Sequence, residues 1–328
     1  MVTLSSIFNS NMVFQANKPV RFFGNGNGQV EITFLGNTKT MTAEGDWLIE
    51  FDPVSYGGPY TVDIKLDGIC TKLRDVYFGD VYLLGGQSNM QFKLRECNEP
   101  RDDYRGNNNV RMFTVDRLEG GEYFYSRDGW VILNKENAGE FSSIGYYVAQ
   151  ELARDNRKIG LISCYQGASA IQPWIRKDLA DKFPTSLANR GFPLWNGNGV
   201  LYERMLKEII PFSISHVLWY QGESNAYTGE AELYIDMLSS LVDNWREDFC
   251  DSSIKFVIVQ IANYIWEEDK NGWKIIQELQ LKAPEHIKGL KTVVCRDVCE
   301  DADIHPKSKK VLSQRISKAI EDNYRNIL

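Results

Sequence analysis

A serine follows an apolar run that ends in two glycines, in the segment VYLLGGQSNM at residues 81–90. The small residues Gly85 and Gly86 let the backbone turn sharply and leave room for a substrate carbonyl. Because a serine hydroxyl is a poor nucleophile until a base removes its proton, Ser88 needs an imidazole within hydrogen-bond reach. If Ser88 begins a helix, its own N–H points to the place where an oxyanion would form. The alternative interpretation is that the pattern S-x-x-Q, ending at Gln91, is a helix-capping box.

Only three histidines are available as that base. His216 opens an apolar run and His286 shortly precedes a later one, so both belong to the amino end of a predicted strand. His305 instead follows the last apolar run and precedes a helical pattern, with Pro306 suited to the first turn of that helix. By elimination His305 is the predicted general base, with a surface histidine at a helix start as the alternative.

Two carboxylates precede His305 in the segment DADIHPKSK. Either Asp303 or Asp301 could accept a hydrogen bond from Nδ1 of the imidazole and stabilise the imidazolium that forms when the serine loses its proton. The other would then be a solvated or helix-capping residue. The residue types leave both assignments open.

From about residue 78 onward, near-continuous apolar runs alternate with amphipathic segments of helical period. This alternation predicts the α/β class, with a parallel sheet covered by helices on both faces. In such sheets, ligands bind just beyond the carboxyl ends of the strands. The residues predicted at those ends are 85–89, 167–169, 221–225, 262–263 and 297–305.

The first part of the chain has a different pattern. Short β-rich runs are separated by Pro, Gly and Asn at intervals of about eight to twelve residues, which is typical of a small β-sandwich. We therefore predict two domains, a jelly-roll-like β-sandwich over residues 1–76 and the α/β domain over residues 77–328.

Composition narrows the possible partners and locations. A net charge of −7 without a block of Lys or Arg argues against nucleic acid, and no apolar run reaches the roughly 18–20 residues of a membrane helix. Residues 1–15 lack the basic start and apolar stretch of a signal peptide. The sequence as it stands predicts a cytoplasmic protein, or a secreted or periplasmic one if a presequence has been removed.

The six cysteines are sparse and lie mostly in apolar segments. They are predicted to be buried free thiols, with one or two disulfides as the alternative. Cys295 and Cys299 could form half of a metal site, but no second Cys or His pair completes a zinc set. We therefore expect no metal.

Three motifs, GGQSNM, WYQGESNA and DIHPKSK, occur in this order and together resemble the sialate O-acetylesterase family of GDSL/SGNH hydrolases. The resemblance covers nearly the whole chain, since FNSNMVFQANKPVRFFGNG and GGPYTVDIK are similar to the β-domain that precedes the hydrolase domain in this family. It implies an SGNH-type catalytic domain and a serine esterase that removes O-acetyl groups from sialic acid without a cofactor.

The resemblance also implies roles for individual residues. Ser88 would be the nucleophile, His305 its base and Asp303 the orienting acid, with Asp301 as the alternative. The backbone N–H of Gly167 and the side-chain amide of Asn225 would complete the oxyanion hole.

The chain departs from the family pattern at two positions. Ala302 stands three residues before the histidine, where many SGNH hydrolases have their aspartate, which leaves a Ser–His dyad oriented by a backbone carbonyl as a further possibility. Ala168 stands where many members have a glycine, which shifts the alignment of Gly167 by up to one residue.

Several residues are candidates for contact with the substrate. Gln87, Gln221 and Glu223 would brace the site or contact sugar hydroxyls, and Arg176 could pair with a sialate carboxylate. Aromatic faces suit sugar rings. The aromatic candidates near the strand ends are Trp174, which ranks first, and Trp195, Tyr202, Trp219 and Tyr264.

Three other functions compete with a sialate esterase. An acetylxylan or other plant-glycan esterase would use the same machinery on a different acetylated sugar. A sugar-binding protein without catalysis would have no need of the complete set of nucleophile, base and oxyanion donors. A thioesterase or phospholipase would need a long apolar channel, which the sequence does not suggest.

Overall fold

The amino-terminal part of the chain consists of strands joined by turns in the computed structural model, which describes residues 1–118, 129–154 and 157–325. Its strands are β1 (Thr3–Leu4), β2 (Val13–Gln15), β3 (Val20–Asn25), β4 (Asn27–Phe34), β5 (Asn37–Glu44), β6 (Trp47–Phe51), β7 (Gly57–Leu66) and β8 (Ile69–Gly86). With 18 residues, β8 is long enough to take part in both halves of the structure.

These strands pair in two groups. β1, β3 and β6 form a three-stranded antiparallel sheet, whereas β4 pairs antiparallel with β5 and β7, and β7 pairs with β8. Buried aromatic rings join the groups. The ring centroid of Phe34 in β4 lies 6.5 Å from that of Phe22 in β3 and 5.8 Å from that of Phe78 in β8. Because β8 continues through residues 76 and 77, the second group shares a sheet with the rest of the chain. A separate sandwich domain over residues 1–76 stays a prediction.

The second half of β8 lies inside a large mixed sheet. Besides β4, β5 and β7, and β2, which pairs parallel with β8, this sheet contains six later strands: β9 (Asn107–Thr114), β10 (Val131–Leu133), β11 (Ile159–Tyr165), β12 (His216–Tyr220), β13 (Lys255–Val259) and β14 (Leu290–Val293). Along the second half of β8 the order is β10-β9-β11-β8-β12-β13-β14, and within this order β10 alone runs antiparallel to its neighbour. The apolar runs predicted as strands are confirmed, but the sheet is mixed rather than wholly parallel. The prediction lacks β10 because a strand of three residues has no recognisable period.

Helices cover both faces of this sheet. They are α1 (Ser88–Gln91), α2 (Ser143–Leu152), α3 (Lys177–Ala180), α4 (Val200–Arg204), α5 (Tyr234–Asp248), α6 (Lys270–His286) and α7 (Lys310–Arg325). Leu84 of β8 contacts α2, while its neighbour Gly85 faces Trp245 of α5. Since successive strand residues point to opposite faces, α2 and α5 lie on opposite sides. The prediction that Pro306 opens the last helix is wrong, because α7 begins only at Lys310 and Pro306 lies in the preceding loop.

The two glycines at the end of β8 are required by close packing. A Cβ added to Gly85 would lie 2.9 Å from the ring of Trp219, and one added to Gly86 would lie 2.1 Å from the carbonyl oxygen of Tyr220. Gly86 also has a φ of +122°, which other residues rarely adopt. The strand therefore ends in glycines because β12 approaches it closely there.

The six cysteines are free thiols. The prediction that they are buried holds for Cys164 and Cys295 but is wrong for Cys70 and Cys250, which are exposed beside turns at the start of β8 and after α5. Within residues 1–118, 129–154 and 157–325, no helix has the length and apolar character needed to cross a membrane.

Gly86→Ala should destabilise the protein strongly, because its Cβ would overlap the backbone of β12. We expect the free energy of unfolding to fall by about 3 kcal/mol or more, measured by urea denaturation. Gly36→Ala is the matched control, since Gly36 also has a positive φ of 78° but open space around it, and it should cost only about 1–2 kcal/mol. Equal losses in the two variants would contradict the packing explanation.

Candidate active site

Ser88 is the first residue of α1 and lies directly beyond the carboxyl end of β8. The N-cap of this helix is Gln87, whose side chain makes no capping hydrogen bond. The capping-box interpretation of S-x-x-Q is therefore wrong, because Ser88 stands inside the helix rather than at its cap. The backbone N–H of Ser88 has no hydrogen-bond partner among the described residues, so it is available to a ligand in the cavity.

The structure brings Ser88 and His305 together. Oγ of Ser88 lies 2.8 Å from Nε2 of His305, although the two residues are 217 positions apart in the chain. The imidazole is half-buried and stacks on Phe92, with ring centroids 6.0 Å apart. Burial and, secondarily, the positive charge of Lys309 lower the pKa of His305, against the opposing effect of Asp303. A lowered pKa keeps the imidazole neutral at neutral pH, and only the neutral form can accept the serine proton.

The two candidate acids occupy different places. The carboxylate of Asp303 accepts a hydrogen bond of 2.9 Å from the backbone N–H of His305, rather than from the ring as the sequence suggested. The backbone carbonyl of Asp301 accepts a hydrogen bond from the backbone N–H of Ile265. No carboxylate bonded to the imidazole is found in the described part of the chain. Asp303 thus acts on the ring through its charge, which favours the imidazolium.

The predicted oxyanion donors are already engaged. The backbone N–H of Gly167 donates to Oε1 of Gln91 at 3.0 Å. The amide of Asn225 donates to Gln172 and Glu230 at 2.8 and 2.7 Å, and this side chain is fully buried. The assignment of Asn225 as an oxyanion donor is therefore corrected: its amide points into the protein interior and braces neighbouring loops.

Asn89, the residue after the nucleophile, connects the parts of the site. Its Nδ2 donates to Oε1 of Glu223 at 2.6 Å and to the carbonyl of Ile304 at 2.9 Å. Its Oδ1 accepts a hydrogen bond of 2.6 Å from the fully buried ammonium of Lys309. Asn89 thereby ties the serine segment to the loop that carries His305. Sequence reasoning missed this role, although Asn89 and Lys309 lie within the first and third motifs.

Gln87 and Gln221 brace the strand ends. Oε1 of Gln87 accepts hydrogen bonds from the backbone of Ser224 at 3.2 Å and from the amide of Gln221 at 3.3 Å. Gln221 is fully buried and also donates to the carbonyl of Ser169 at 3.1 Å. These contacts join the ends of β8, β11 and β12.

Glu223 has one bonded and one unbonded oxygen. Oε1 accepts from Asn89, while Oε2 is buried without a hydrogen-bond partner in the part of the chain that the structure describes. Burial raises the pKa of this carboxyl, with the Asn89 bond and the charge of Lys309 acting in the opposite direction. Glu223 therefore belongs to the buried network behind the nucleophile.

Ser88 and His305 line a cavity of about 430 Å³. Phe192 and Trp195 stack in its wall with ring centroids 5.3 Å apart, and Phe192 and Tyr227 are partly exposed to solvent. Such apolar ring faces can pack against a sugar ring. Sequence reasoning included Trp195 among the aromatic candidates but missed Phe192 and Tyr227.

Two residues predicted to contact the substrate do not line this cavity. Trp174 is fully buried, donates its indole N–H to Oγ of Ser169 and packs edge-on against Trp219. Arg176 lies outside the cavity and forms ion pairs with neighbouring carboxylates, including Asp178 and Asp248. One is a core residue and the other stabilises the surface of the α/β half.

Among the described residues, no group of three or more His, Cys, Asp or Glu side chains is placed to hold a metal ion. The site consists of a serine, an imidazole, neutral hydrogen-bond donors and a buried acid.

Comparison with known families matches residues 78–321 to the carbohydrate esterase, sialic acid-specific acetylesterase family. The match covers well over half of the chain, which therefore belongs to this family and is an esterase. A similar curated protein is the sialate O-acetylesterase of Rattus norvegicus. The two are 24% identical over an alignment 370 residues long, which covers 90% of this chain and 68% of the rat protein. The human sialate O-acetylesterase is also 24% identical, over 95% of this chain and 69% of its own length.

Two further proteins resemble the chain. The crystal structure of a carbohydrate acetylesterase from Xanthomonas citri is 28% identical, with a TM-score of 0.84 over 97% of this chain and 74% of that protein. A probable carbohydrate esterase from Arabidopsis thaliana is 32% identical over 158 residues, which is 46% of this chain and 48% of the plant protein. The match to the Xanthomonas citri structure therefore includes the amino-terminal strands as well as the α/β part of the chain.

Asn89→Ala should weaken both stability and activity, because it leaves the buried groups of Lys309 and Glu223 without their shared partner. We expect the free energy of unfolding to fall by about 3 kcal/mol and kcat to fall as His305 loses its support. Asn108→Ala, at an exposed position of β9, is the control and should change stability by less than about 0.5 kcal/mol. Similar values for the two variants would refute the bridging role.

The rate of ester hydrolysis should rise with pH through the pKa of His305 and level off before neutrality, because burial lowers that pKa from its ordinary value of about 6.5. Asp303→Asn removes a charge that raises the pKa, so the acid limb of kcat/KM should move to lower pH.

Since Asp303 is exposed and bonds the backbone rather than the ring, the same variant should reduce kcat by only about 10- to 100-fold, short of the roughly 10⁴-fold loss when a ring-bonded carboxylate is removed. Asp301→Asn is the control. A shift of the limb to higher pH, or a larger loss in the Asp301 variant, would overturn this assignment.

Proposed function

We propose that this member of the sialic acid-specific acetylesterase family removes O-acetyl groups from a sugar through an acetyl-enzyme on Ser88. The observation that carries the proposal is the 2.8 Å contact between Oγ of Ser88 and Nε2 of His305 inside a cavity. A serine with a neutral imidazole at this distance is the arrangement that activates a hydroxyl for attack on an ester.

The reaction proceeds in two halves. His305 takes the proton of Ser88 as the hydroxyl oxygen attacks the acetyl carbonyl, and the resulting tetrahedral intermediate collapses with the loss of the sugar oxygen. The imidazolium returns its proton to that oxygen, so the sugar leaves as an alcohol. A water molecule then loses a proton to His305 and attacks the acetyl-enzyme, which releases acetate and restores both residues.

The charge of Asp303 supports this cycle. It lies beside His305, where it favours the imidazolium formed in each half-reaction. Asp303 is thus the proposed acid of the site, with a contribution smaller than that of a carboxylate bonded to the ring.

Sialic acid is the first candidate for the sugar, on the basis of the rat and human relatives whose names specify sialate O-acetyl esters. A neutral acetylated glycan such as xylan is the second candidate. It is favoured by the composition of the cavity, whose described lining contains Glu267 but neither Lys nor Arg to pair with a sialate carboxylate.

We further propose that the amino-terminal strands stiffen the strand that carries the nucleophile. β7 pairs with the first half of β8, and Ser88 follows its second half. In this view residues 1–76 form the supporting domain and residues 77–328 the catalytic domain.

Ser88→Ala should abolish hydrolysis of p-nitrophenyl acetate, with a loss of at least about 10⁴-fold in kcat, because the variant lacks the hydroxyl that attacks the ester. Ser252→Ala, at an exposed position, should hydrolyse the ester at the wild-type rate. Undiminished turnover by the Ser88 variant would refute the proposed nucleophile.

The same preparations can rank the sugars. Released acetate is measured with di-O-acetylated sialic acid and with acetylated xylo-oligosaccharides in competition. A preference for the sialic acid supports the first candidate, and a preference for the neutral oligosaccharides supports the second. Equal rates on both would leave the sialate assignment without support.

A further inference from the structure

We infer that the side-chain amide of Gln91 donates a hydrogen bond to the oxyanion of the tetrahedral intermediate, and that the backbone N–H of Gly167 positions this amide. The inference rests on the proposed function, since an oxyanion forms only if Ser88 attacks an acyl carbon. It begins from the two predicted donors, Gly167 and Asn225, whose N–H groups are all engaged within the protein.

The orientation of the Gln91 amide follows from elementary chemistry. A backbone N–H can only donate, so the side-chain atom 3.0 Å from the nitrogen of Gly167 must be the oxygen of the amide. The NH₂ group therefore points away from Gly167. It has no hydrogen-bond partner among the described residues, and Gln91 lines the cavity.

Gln91 also lies close to the reacting hydroxyl. It stands three residues after Ser88 on α1, a spacing that places two helical side chains on the same face. A Cβ built on Gly167 would lie 3.4 Å from Oε1 of Gln91 and 3.9 Å from Cβ of Ser88. The amide and the nucleophile thus approach the same point of the β11 loop.

This placement gives the oxyanion two neutral donors. One is the unpartnered N–H of Ser88 at the start of α1, and the other is the NH₂ of Gln91. Both donors are in place before the substrate binds. The hydrogen bonds that they make strengthen as negative charge develops on the carbonyl oxygen. No proton is transferred, so the amide stabilises the intermediate without entering the proton balance.

The competing view is that Gln91 merely covers the N–H of Gly167, which would itself become the donor once Gln91 moved aside. The two views predict opposite effects of removing the amide. If Gln91 is the donor, its removal slows the reaction; if it is a cover, removal exposes Gly167 and leaves the rate unchanged or raises it.

Gln91→Met and Gln91→Glu separate these views with p-nitrophenyl acetate, which has no sugar to contact. Methionine keeps the length of the side chain without a donor, and glutamate can still accept from Gly167 but brings a negative charge to the oxyanion. We expect kcat to fall about 100- to 1000-fold in the methionine variant and at least as far in the glutamate variant, with KM nearly unchanged. Gln314→Met, at an exposed position of α7, is the matched control.

A second readout separates a donor from a merely structural residue. A boronic acid that binds Ser88 as a tetrahedral adduct should lose affinity for the methionine variant by the same factor as kcat/KM. Thermal melting identifies a variant that fails to fold, and Gln91→Ala then takes its place. A folded variant of either kind with wild-type or higher kcat would overturn the inference.

Failure of the inference can be told from failure of the proposed function. If Ser88→Ala is inactive while Gln91→Met is fully active, the esterase mechanism stands and Gly167 is the donor. If Ser88→Ala is active, the nucleophile itself is wrong and the oxyanion assignment falls with it.

Discussion

The hydrogen bond between Oγ of Ser88 and Nε2 of His305 is the interaction on which the rest of the site depends. It joins residues 217 positions apart at 2.8 Å, yet one hydrogen bond contributes only about 0.5–1.5 kcal/mol net. Ordering each loop residue costs about 1–2 kcal/mol of backbone entropy. The contact therefore cannot order its own surroundings, and the fold must hold both side chains in place before a substrate arrives.

Two features of the fold hold Ser88 and His305 in place. The sheet places β8 between β11 and β12, and Gly86 lets the backbone at the end of β8 approach Tyr220 closely, so the loops that follow these strands meet at one edge. The network around Asn89 then connects the serine segment to Ile304 and, through Lys309, to the start of the last helix. Because the ammonium is fully buried, losing its partner is costly, and this cost keeps the loop of His305 in position.

The sequence was informative where a physical constraint leaves a pattern. Strands buried on both faces appear as unbroken apolar runs, and Ser88 and His305 stand out because few residues of their type lie at strand ends. Side-chain direction leaves no such pattern: Asn225 sits at a strand end, but its amide turns into the interior. The same holds for Asn89, whose side chain bonds to Glu223 and Lys309 behind the nucleophile, where residue type alone does not reveal a partner.

The central claim is that His305 activates Ser88, and labelling with a fluorophosphonate tests it most directly, since this reagent reacts with activated serine hydroxyls. Peptide mass spectrometry after brief exposure at neutral pH should find one label, on the peptide that contains Ser88. In His305→Ala the labelling rate should fall about 10³-fold or more, because the hydroxyl then keeps its proton. A label on another residue, or undiminished labelling of Ser88 in the variant, would contradict the account.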